Sequence, residues 1–347
     1  SASTSCPYVQ GWPAYSQSAM LLNGISTTRL LKPLIDKRMP ERKFMDHLAA
    51  SLAERLGRTA AEIASAWQKA SETHQEFERR CYEAGDTALR EAREKGERLL
   101  VLIGRPYNMA DSGLNLDLPH KIAERGLTVL PMDFVRPDYS RLGERYRNVY
   151  WAYGQKIIAV LEQVAASDNL DAIYLTNFCC GPDSFLLSYA EEILGNRPFL
   201  ALELDEHGGD AGYLTRIEAF LDVLRRSRST ATASEPRRPY REEPFDLRSR
   251  TLWIPPMHEY NSEFFAAGFR RHGCDARALP PETAATFELG RSLTRGSECL
   301  PTSLTIGTLI ATLREQGLTT GQALLMPTTT GPCRFGQYCQ LHRQILD

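Results

Sequence analysis

A chain of 347 residues, 42% apolar and 24% charged, has the ordinary mix of a globular protein and enough length for two or three domains with real cores. A formal net charge of −2 and a pI of about 6.4 leave no electrostatic case for nucleic acid as a partner. No apolar run is long enough to cross a bilayer, and Ser1-Ala-Ser-Thr-Ser-Cys6-Pro7 lacks the basic-then-apolar order of a signal peptide. The expected location is the cytoplasm, with the eight cysteines reduced.

In chain order, Cys6-Pro-Tyr-Val-Gln-Gly-Trp-Pro13 holds two prolines and a glycine and is expected to be loop. A helix is expected from Glu41 to Leu56, ending near Gly57. Thr59 and Glu62 then have capping-box spacing and open a second helix that runs to about Lys95. Its stripe of Ile63, Trp67, Ala70, His74, Phe77, Cys81, Ala84 and Ala88 alternates steps of four and three, the seam of a helical hairpin or coiled coil. At 1.5 Å per residue such a helix is roughly 53 Å long.

From Arg98 the pattern becomes alternating strands and helices. Strands are expected at Leu99–Ile103, Thr128–Pro131, Ala172–Thr176 and Phe199–Leu204, with helices near 116–125, 149–166, 184–195 and 213–226. This βαβ rhythm implies a parallel sheet with its strand-end loops on one edge. The stretch 227–246 is Ser/Thr, Pro and charge and reads as a linker. A second α/β unit starts at Thr251: helix 259–272, strand Asp275–Leu279, helix 303–316, strand Ala323–Pro327 and a helix from Phe335. The expected organisation is a loop plus helical hairpin over 1–97, an α/β domain over 98–226, the linker, and a second α/β domain over 247–347. That last domain reads as incomplete, as in a piece of a longer protein. The two units echo each other, with Cys180-Gly-Pro in the first and Gly-Pro-Cys333 in the second. The fold class is therefore α/β, with repeated flavodoxin-like, doubly wound parallel sheets and a helical hairpin insertion near the N-terminus.

Chemistry concentrates on cysteines at strand ends. Cys180 follows the run Asp171–Cys179 and precedes Gly-Pro-Asp183, which suits a helix first turn. A thiol there lies where open α/β sheets bind ligands, and a helix N-terminus favours the metal-binding thiolate. Packing as a small buried hydrophobe is the competing reading. Cys179 is the alternative to Cys180, since consecutive side chains point apart. Cys333, Cys299 in Gly296-Ser-Glu298-Cys299-Leu-Pro301, and Cys6 before Pro7 complete the candidate set. Cys81 and His74 lie on the helical stripe and read as seam residues; Cys274 reads as structural, and Cys339 stays open. No C-x-x-C pair occurs, which weakens a zinc-ribbon or thioredoxin reading. Gly104-Arg105-Pro106-Tyr107-Asn108 could hold an anion at a strand end, although it is neither a Walker motif nor G-x-G-x-x-G. Asp205-Glu206-His207 could bind metal or perform acid–base chemistry, or merely order its loop. No G-x-S-x-G elbow or H-E-x-x-H is present.

Several phrases in this order resemble a known family. They are Cys6-Pro-Tyr-Val-Gln-Gly, Gly104-Arg-Pro-Tyr-Asn, Pro131-Met-Asp-Phe, Tyr153-Gly-Gln, Asn177-Phe-Cys-Cys-Gly-Pro-Asp-Ser-Phe, Asp205-Glu-His, Thr215-Arg-Ile-Glu-Ala-Phe-Leu-Asp, Glu298-Cys-Leu-Pro and Gly331-Pro-Cys-Arg-Phe-Gly-Gln-Tyr. Together they are similar to the large activators of 2-hydroxyacyl-CoA dehydratases and their double-cubane iron–sulfur relatives. The resemblance implies flavodoxin-like domains holding a 4Fe–4S or double-cubane cluster, with Cys6 and Cys180 serving the first half and Cys299 and Cys333 the second. Cysteines before residue 1 and after residue 347 would complete the two sets. ATP would belong only to a separate or missing ATPase domain that drives a low-potential electron onto the cluster. Arg105, Tyr107 and Glu298 become candidate cofactor-binding residues; no catalytic residue is assigned. The implied partners are an ATPase activase domain or subunit, an acyl-CoA or small-molecule acceptor, and a second copy in a homodimer. Three positions depart from the family's usual residues: Cys179 stands for Gly, Ser297 for Lys, and Thr305-Ile-Gly-Thr308 for Thr-Thr-Gly-Asp. The competing functions are a non-catalytic scaffold or zinc-binding module, and a direct acyl-CoA-processing enzyme using the Asp205–His207 loop.

Overall fold

The computed structural model describes residues 5–36, 38–142, 146, 148–177, 180–205, 207, 209–227, 246–258, 260–317, 321–329, 331 and 333–346. Most of the expected linker (228–245), together with Cys179 and Glu206, lies outside the described residues.

The chain starts with a helix where a loop was expected. α1 spans Pro7–Leu22, with Cys6 as its N-cap. Pro7 sits in the first turn, where its missing N–H costs nothing and its fixed φ suits the helix. Pro13 lies inside and denies a donor to the carbonyl of Val9, a residue at the surface. Tyr8, Trp12, Tyr15, Leu21 and Leu22 of α1 are all exposed.

α2 (Glu41–Leu56) and α3 (Ala60–Lys95) follow. The Thr59 hydroxyl accepts from the Glu62 N–H at 3.2 Å and Glu62 accepts from the Thr59 N–H at 2.8 Å, so the capping box is present. The two helices form a hairpin only at its closed end. Phe44 and Leu48 bury against Ile63 and Trp67, with the Phe44 and Trp67 rings edge to face at 4.9 Å. Beyond that the expected seam is bare: Ala70, His74, Phe77 and Ala84 are exposed. The stripe continues on α3, but α2 ends too soon to cover it. Burial resumes at Cys81 and Gly85, where α3 docks on the first α/β unit. A Cβ on Gly85 would lie 1.9 Å from the Phe134 carbonyl oxygen, so only glycine permits that approach.

The first sheet has strands β1 (Leu99–Gly104), β2 (Thr128–Pro131), β3 (Leu170–Asn177) and β4 (Phe199–Leu204), all parallel, in the order β2-β1-β3-β4. Between β1 and β2 lie α4 (Pro106–Ala110) and α5 (Leu118–Ala123); α6 (Ala152–Ala165) precedes β3, α7 (Gly181–Leu194) follows it, and α8 (Ala211–Ser227) follows β4. Strand β1 is buried along its whole length, as a parallel strand covered on both faces must be. Leu99, Val101 and Ile103 face a core built with α6 and α7; Leu100 and Leu102 face the opposite core with Ile122, Ile217 and Phe220. The alternation sorts them because successive side chains leave a strand on opposite faces. This is the doubly wound flavodoxin-type arrangement.

The second sheet, β5 (Thr251–Ile254), β6 (Asp275–Ala278) and β7 (Gln322–Leu324), is parallel in the order β6-β5-β7. It repeats the β2-β1-β3 pattern. Its helices are α9 (Asn261–Arg271), α10 (Ala284–Leu293), α11 (Leu300–Gln316) and α12 (Tyr338–Leu346). The sequence reading missed α10, whose Thr283–Thr286 cap has threonine in place of the usual Glu/Gln. α12 is buried in the first unit's core: Tyr338 stacks on Phe185 at 6.0 Å, Tyr189 Oη donates to Gln337 Oε1 at 3.0 Å, and Gln344 Nε2 donates to the Ser188 carbonyl at 3.1 Å.

Burial on α12 also creates a pH-sensitive group. His342 is 2% exposed, facing Tyr338, Thr305 and the Thr302 carbonyl, and burial depresses its pKa from an ordinary 6.5 to about 4. The unfolded chain takes up this proton near pH 6.5 and the folded chain only near 4, so stability falls as pH is lowered through that window, by about 3 kcal/mol in full. Comparing urea midpoints at pH 7 and pH 5, His342→Gln should lose less stability than the unmodified chain. Equal losses would contradict this assignment.

Candidate functional site

The first cysteine site is assembled from three loops at the carboxyl edge of the first sheet. β3 ends at Asn177; Cys180 is the N-cap of α7, and its N–H donates to the Asn177 carbonyl at 2.9 Å. Asp183, in the first turn of α7, is 1% exposed. Its carboxylate accepts from Tyr174 Oη at 3.0 Å, Thr176 Oγ1 at 2.7 Å and Arg105 Nη2 at 2.6 Å. Tyr174 and Thr176 share one face of β3 because they are two residues apart. Arg105 comes from the end of β1 as the N-cap of α4, and its Nη2 also lies 3.9 Å from Cys180 Sγ. Tyr107, one residue past Pro106, is pushed up to about 12 by burial and then by charge on Cys180, with a smaller push from Cys6. Cys6 acts electrostatically on Cys180 as well, so the start of α1 belongs to this neighbourhood.

The helix N-terminus does not make Cys180 a thiolate by itself. Burial, followed by the Asp183 carboxylate, pushes the thiol up to about 11, with Arg105 opposing. The Asp183 N–H at the helix end does favour the thiolate, but desolvation and a neighbouring full negative charge outweigh it.

The second site has the same construction. Cys299 is the N-cap of α11, with Pro301 in its first turn, and Cys333 is the N-cap of a 3-10 turn at Arg334–Gln337. Tyr338 lies beside both: burial raises its pKa first, and Cys299 and Cys333 add to the rise. Glu298 Oε1 accepts from the Arg295 N–H at 3.4 Å, while its buried Oε2 has no hydrogen-bond partner among the described residues.

Arg334 joins the two sites. Its Nη1 donates to Ser184 Oγ at 3.3 Å and to the Ser297 carbonyl at 3.5 Å. Its side chain also lies 3.2 Å from where a Cβ on Gly181 would be. The residues flanking Cys180, Cys299 and Cys333 therefore meet around one guanidinium, packed closely against Gly181.

Among the described residues, no group of three or more His, Cys, Asp and Glu side chains is placed to hold a metal ion. Of the seven described cysteines, Cys6 lies close enough to act electrostatically on Cys180, and Cys299 and Cys333 both act on Tyr338. Cys179 lies outside the described residues, as does Glu206 of the Asp205–His207 loop. In that loop the Asp205 carboxylate accepts from the His207 N–H at 3.1 Å and both side chains are exposed. Cys81 is buried; Cys339 Sγ accepts from Asn148 Nδ2 at 3.3 Å.

Asp183, Tyr174, Thr176 and Arg334 were not singled out in the sequence. Nor was the cluster beside them, in which Lys156 Nζ donates to Asp133 Oδ1 at 2.6 Å and Tyr153 Oη donates to the same oxygen. Asp183 and Arg105 stand 78 positions apart, and nothing local marks the pair.

Comparison with known proteins adds one match. Residues 1–135 match the family model described as "CoA enzyme activase uncharacterised domain". No curated protein and no solved structure matches the chain. The matched segment holds Cys6, Arg105 and Tyr107 and runs through β2.

Proposed function

We propose that the chain is the iron–sulfur electron-transfer part of a CoA enzyme activase system, working with an ATPase that supplies the driving force for a low-potential electron. The observation that carries this reading is the recurrence of one device: four cysteines, each the N-cap of a helical turn, with Tyr338 beside Cys299 and Cys333 and Arg334 reaching from Ser184 of α7 to the Ser297 carbonyl. The activase match over residues 1–135 supports the same system.

Thiolates are the ordinary ligands of iron–sulfur clusters, and a cubane takes four. The donor chemistry fits, while the number per pair does not reach four. The reading therefore requires further thiolates, from Cys179 or from protein beyond the sequence given. Cys6 and Cys180 would hold one side and Cys299 and Cys333 the other; the bound cluster would supply one-electron chemistry. Around it, this chain's residues would hold the sulfurs at helix N-caps, with Arg105, Arg334 and Tyr107 nearby.

The test is iron and acid-labile sulfide content, with an EPR spectrum after dithionite reduction, on anaerobically purified chain and full-length gene product. The expected result is a reducible cluster in the full-length protein, with iron falling by half or more in Cys180→Ser and in Cys333→Ser. Zinc or no metal in both preparations, with folding indifferent to the two substitutions, would leave the scaffold reading in its place.

A further inference from the structure

We propose that the outward face of α1 is a self-pairing surface, on which a second copy of this chain docks its own α1 antiparallel. Tyr8, Trp12, Tyr15, Ala19 and Leu22 follow one another in steps of four, three, four and three, the spacing of a helix-pairing seam. At about 100° per residue they form a single stripe, and all five are exposed. Tyr8 is 69% exposed, Trp12 68%, Tyr15 58% and Leu22 87%. The helix is inverted relative to an ordinary surface helix, which turns its apolar stripe inward. Gln17, half a turn round from Tyr8, is the better covered residue, and its Oε1 accepts from Lys32 Nζ at 2.6 Å.

Charge and shape select the occupant. No Asp, Glu, Lys, Arg or His occurs from Ser1 to Thr28, in a chain that is 24% charged. A two-fold contact sets a face against itself, so a charge near the axis meets its like; a neutral face escapes that repulsion. A membrane is the poorer fit. Interfacial helices carry Lys and Arg on their polar face, and α1 has neither. Its 16 residues span about 24 Å, short of a hydrocarbon core of roughly 30 Å, and no described helix is long and apolar enough to cross one. About a two-fold axis at Tyr15, Tyr8 meets Leu22 of the second copy and Trp12 meets Ala19, so the largest side chain of the stripe faces the smallest. The Tyr15 ring lies back over Gly11, 3.1 Å from where a Cβ there would stand, which lets the helices approach closely at the axis. At about 150–250 Å² per aromatic side chain, the three exposed rings leave on the order of 300–500 Å² per copy. That already matches the largest apolar patch of a typical monomer. With Leu22, Val9 and Leu21, all exposed, two copies reach the roughly 1,200 Å² at which specific interfaces begin.

This surface is independent of the iron–sulfur reading. The experiment is sedimentation velocity at micromolar concentration, under reducing conditions so that no disulfide joins copies. It uses this chain and the full-length gene product, and compares the unmodified protein with Tyr15→Glu, with Tyr15→Lys and with an equal mixture of the two. Circular dichroism reports whether each is folded. The expected result is a dimer for the unmodified protein, a dissociation constant raised tenfold or more in each variant, and a dimer restored in the mixture, where opposite charges face each other at the axis. Gln17→Glu, on the other side of the helix, should stay dimeric. A monomeric unmodified chain, or a dimer indifferent to both Tyr15 variants, overturns the proposal. So does a full-length product that stays monomeric, since α1 is then covered within it, and so does binding to phosphatidylcholine–phosphatidylserine vesicles that Tyr15→Glu abolishes. None of these outcomes bears on iron content, which tests the other reading separately.

Discussion

Asp183→Ala should destabilise the folded chain by about 3–5 kcal/mol, the cost of stranding one partner of a buried ion pair. The substitution removes the anion facing Arg105, whose side chain is only 10% exposed. It also removes the acceptor for the Tyr174 and Thr176 hydroxyls, and an unsatisfied buried donor costs about 1–3 kcal/mol. These losses overlap, so they do not simply add. Asp183→Asn keeps the shape and one acceptor oxygen and should cost less than Asp183→Ala. Urea denaturation of the three proteins at pH 7 measures the difference. A shift under about 1 kcal/mol for Asp183→Ala would mean that Arg105 reaches solvent and that the buried network is not what anchors Cys180.

Gly290→Ala and Gly307→Ala form the second large expectation. A Cβ on Gly290 would lie 1.8 Å from the Ser303 carbonyl oxygen; one on Gly307 would lie 1.9 Å from that of Thr286 and 2.7 Å from the Gly290 nitrogen. The obstacles are backbone atoms on both sides, so no rotamer change relieves them and α10 must separate from α11. Overpacking of this kind costs about 1–3 kcal/mol, occasionally more, against up to about 1 kcal/mol returned by replacing a helical glycine with alanine. The net effect is a loss of stability. Gly268 in α9, with nothing within 4 Å of its would-be Cβ, is the control: alanine there should leave stability unchanged or slightly raised. Thermal melts followed by circular dichroism distinguish the two classes. If all three variants melt alike, the close crossing of α10 and α11 is absent in solution. Since α11 begins at Cys299, separation of that crossing also displaces one of the candidate sulfurs.

Much of the fold was legible because the signals are local. Capping at Thr59 and Glu62, the glycine after Leu56 and the apolar runs of β1 and β3 each act over a few residues, and those elements stand where the sequence places them. The failures are equally physical. Prolines 7 and 13 were read as breaking structure, yet one occupies a helix first turn and the other sits on a solvent-facing helix. The stripe on α3 was read as one seam because periodicity identifies a face without saying what covers it. At the site, the cysteines were visible beside prolines at strand ends or turns: Cys6 before Pro7, Cys180 before Gly-Pro, Cys299 before Leu-Pro and Cys333 after Gly-Pro. Asp183 was visible only as a first-turn acid, and Arg334 as an ordinary residue after a cysteine. Their roles come from contacts between segments 78 and 150 positions apart, in Arg105–Asp183 and Arg334–Ser184, and such contacts leave no periodicity behind. The burial that raises the Cys180 thiol pKa was illegible for the same reason, because it is set by the whole surrounding fold.

The uncovered middle of α3 has a mechanical consequence. The helix is clamped at Gly85 and again near Ala92 on the first unit, and its other end carries α2. From Gly85 back to Ala60 it forms a rod of about 38 Å at 1.5 Å per residue, so a tilt of about 5° at the clamp swings the tip by about 3 Å. The tip is not a loose end: the Arg55 guanidinium at the end of α2 donates to the Thr28 carbonyl, and Lys32 Nζ donates to Gln17 Oε1 of α1, the helix capped by Cys6, at 2.6 Å. The arm is therefore a lever with its fulcrum on the sheet and its load line running to one of the candidate sulfurs. Side pressure on the exposed shaft is converted into a displacement several times larger than the motion at its seat.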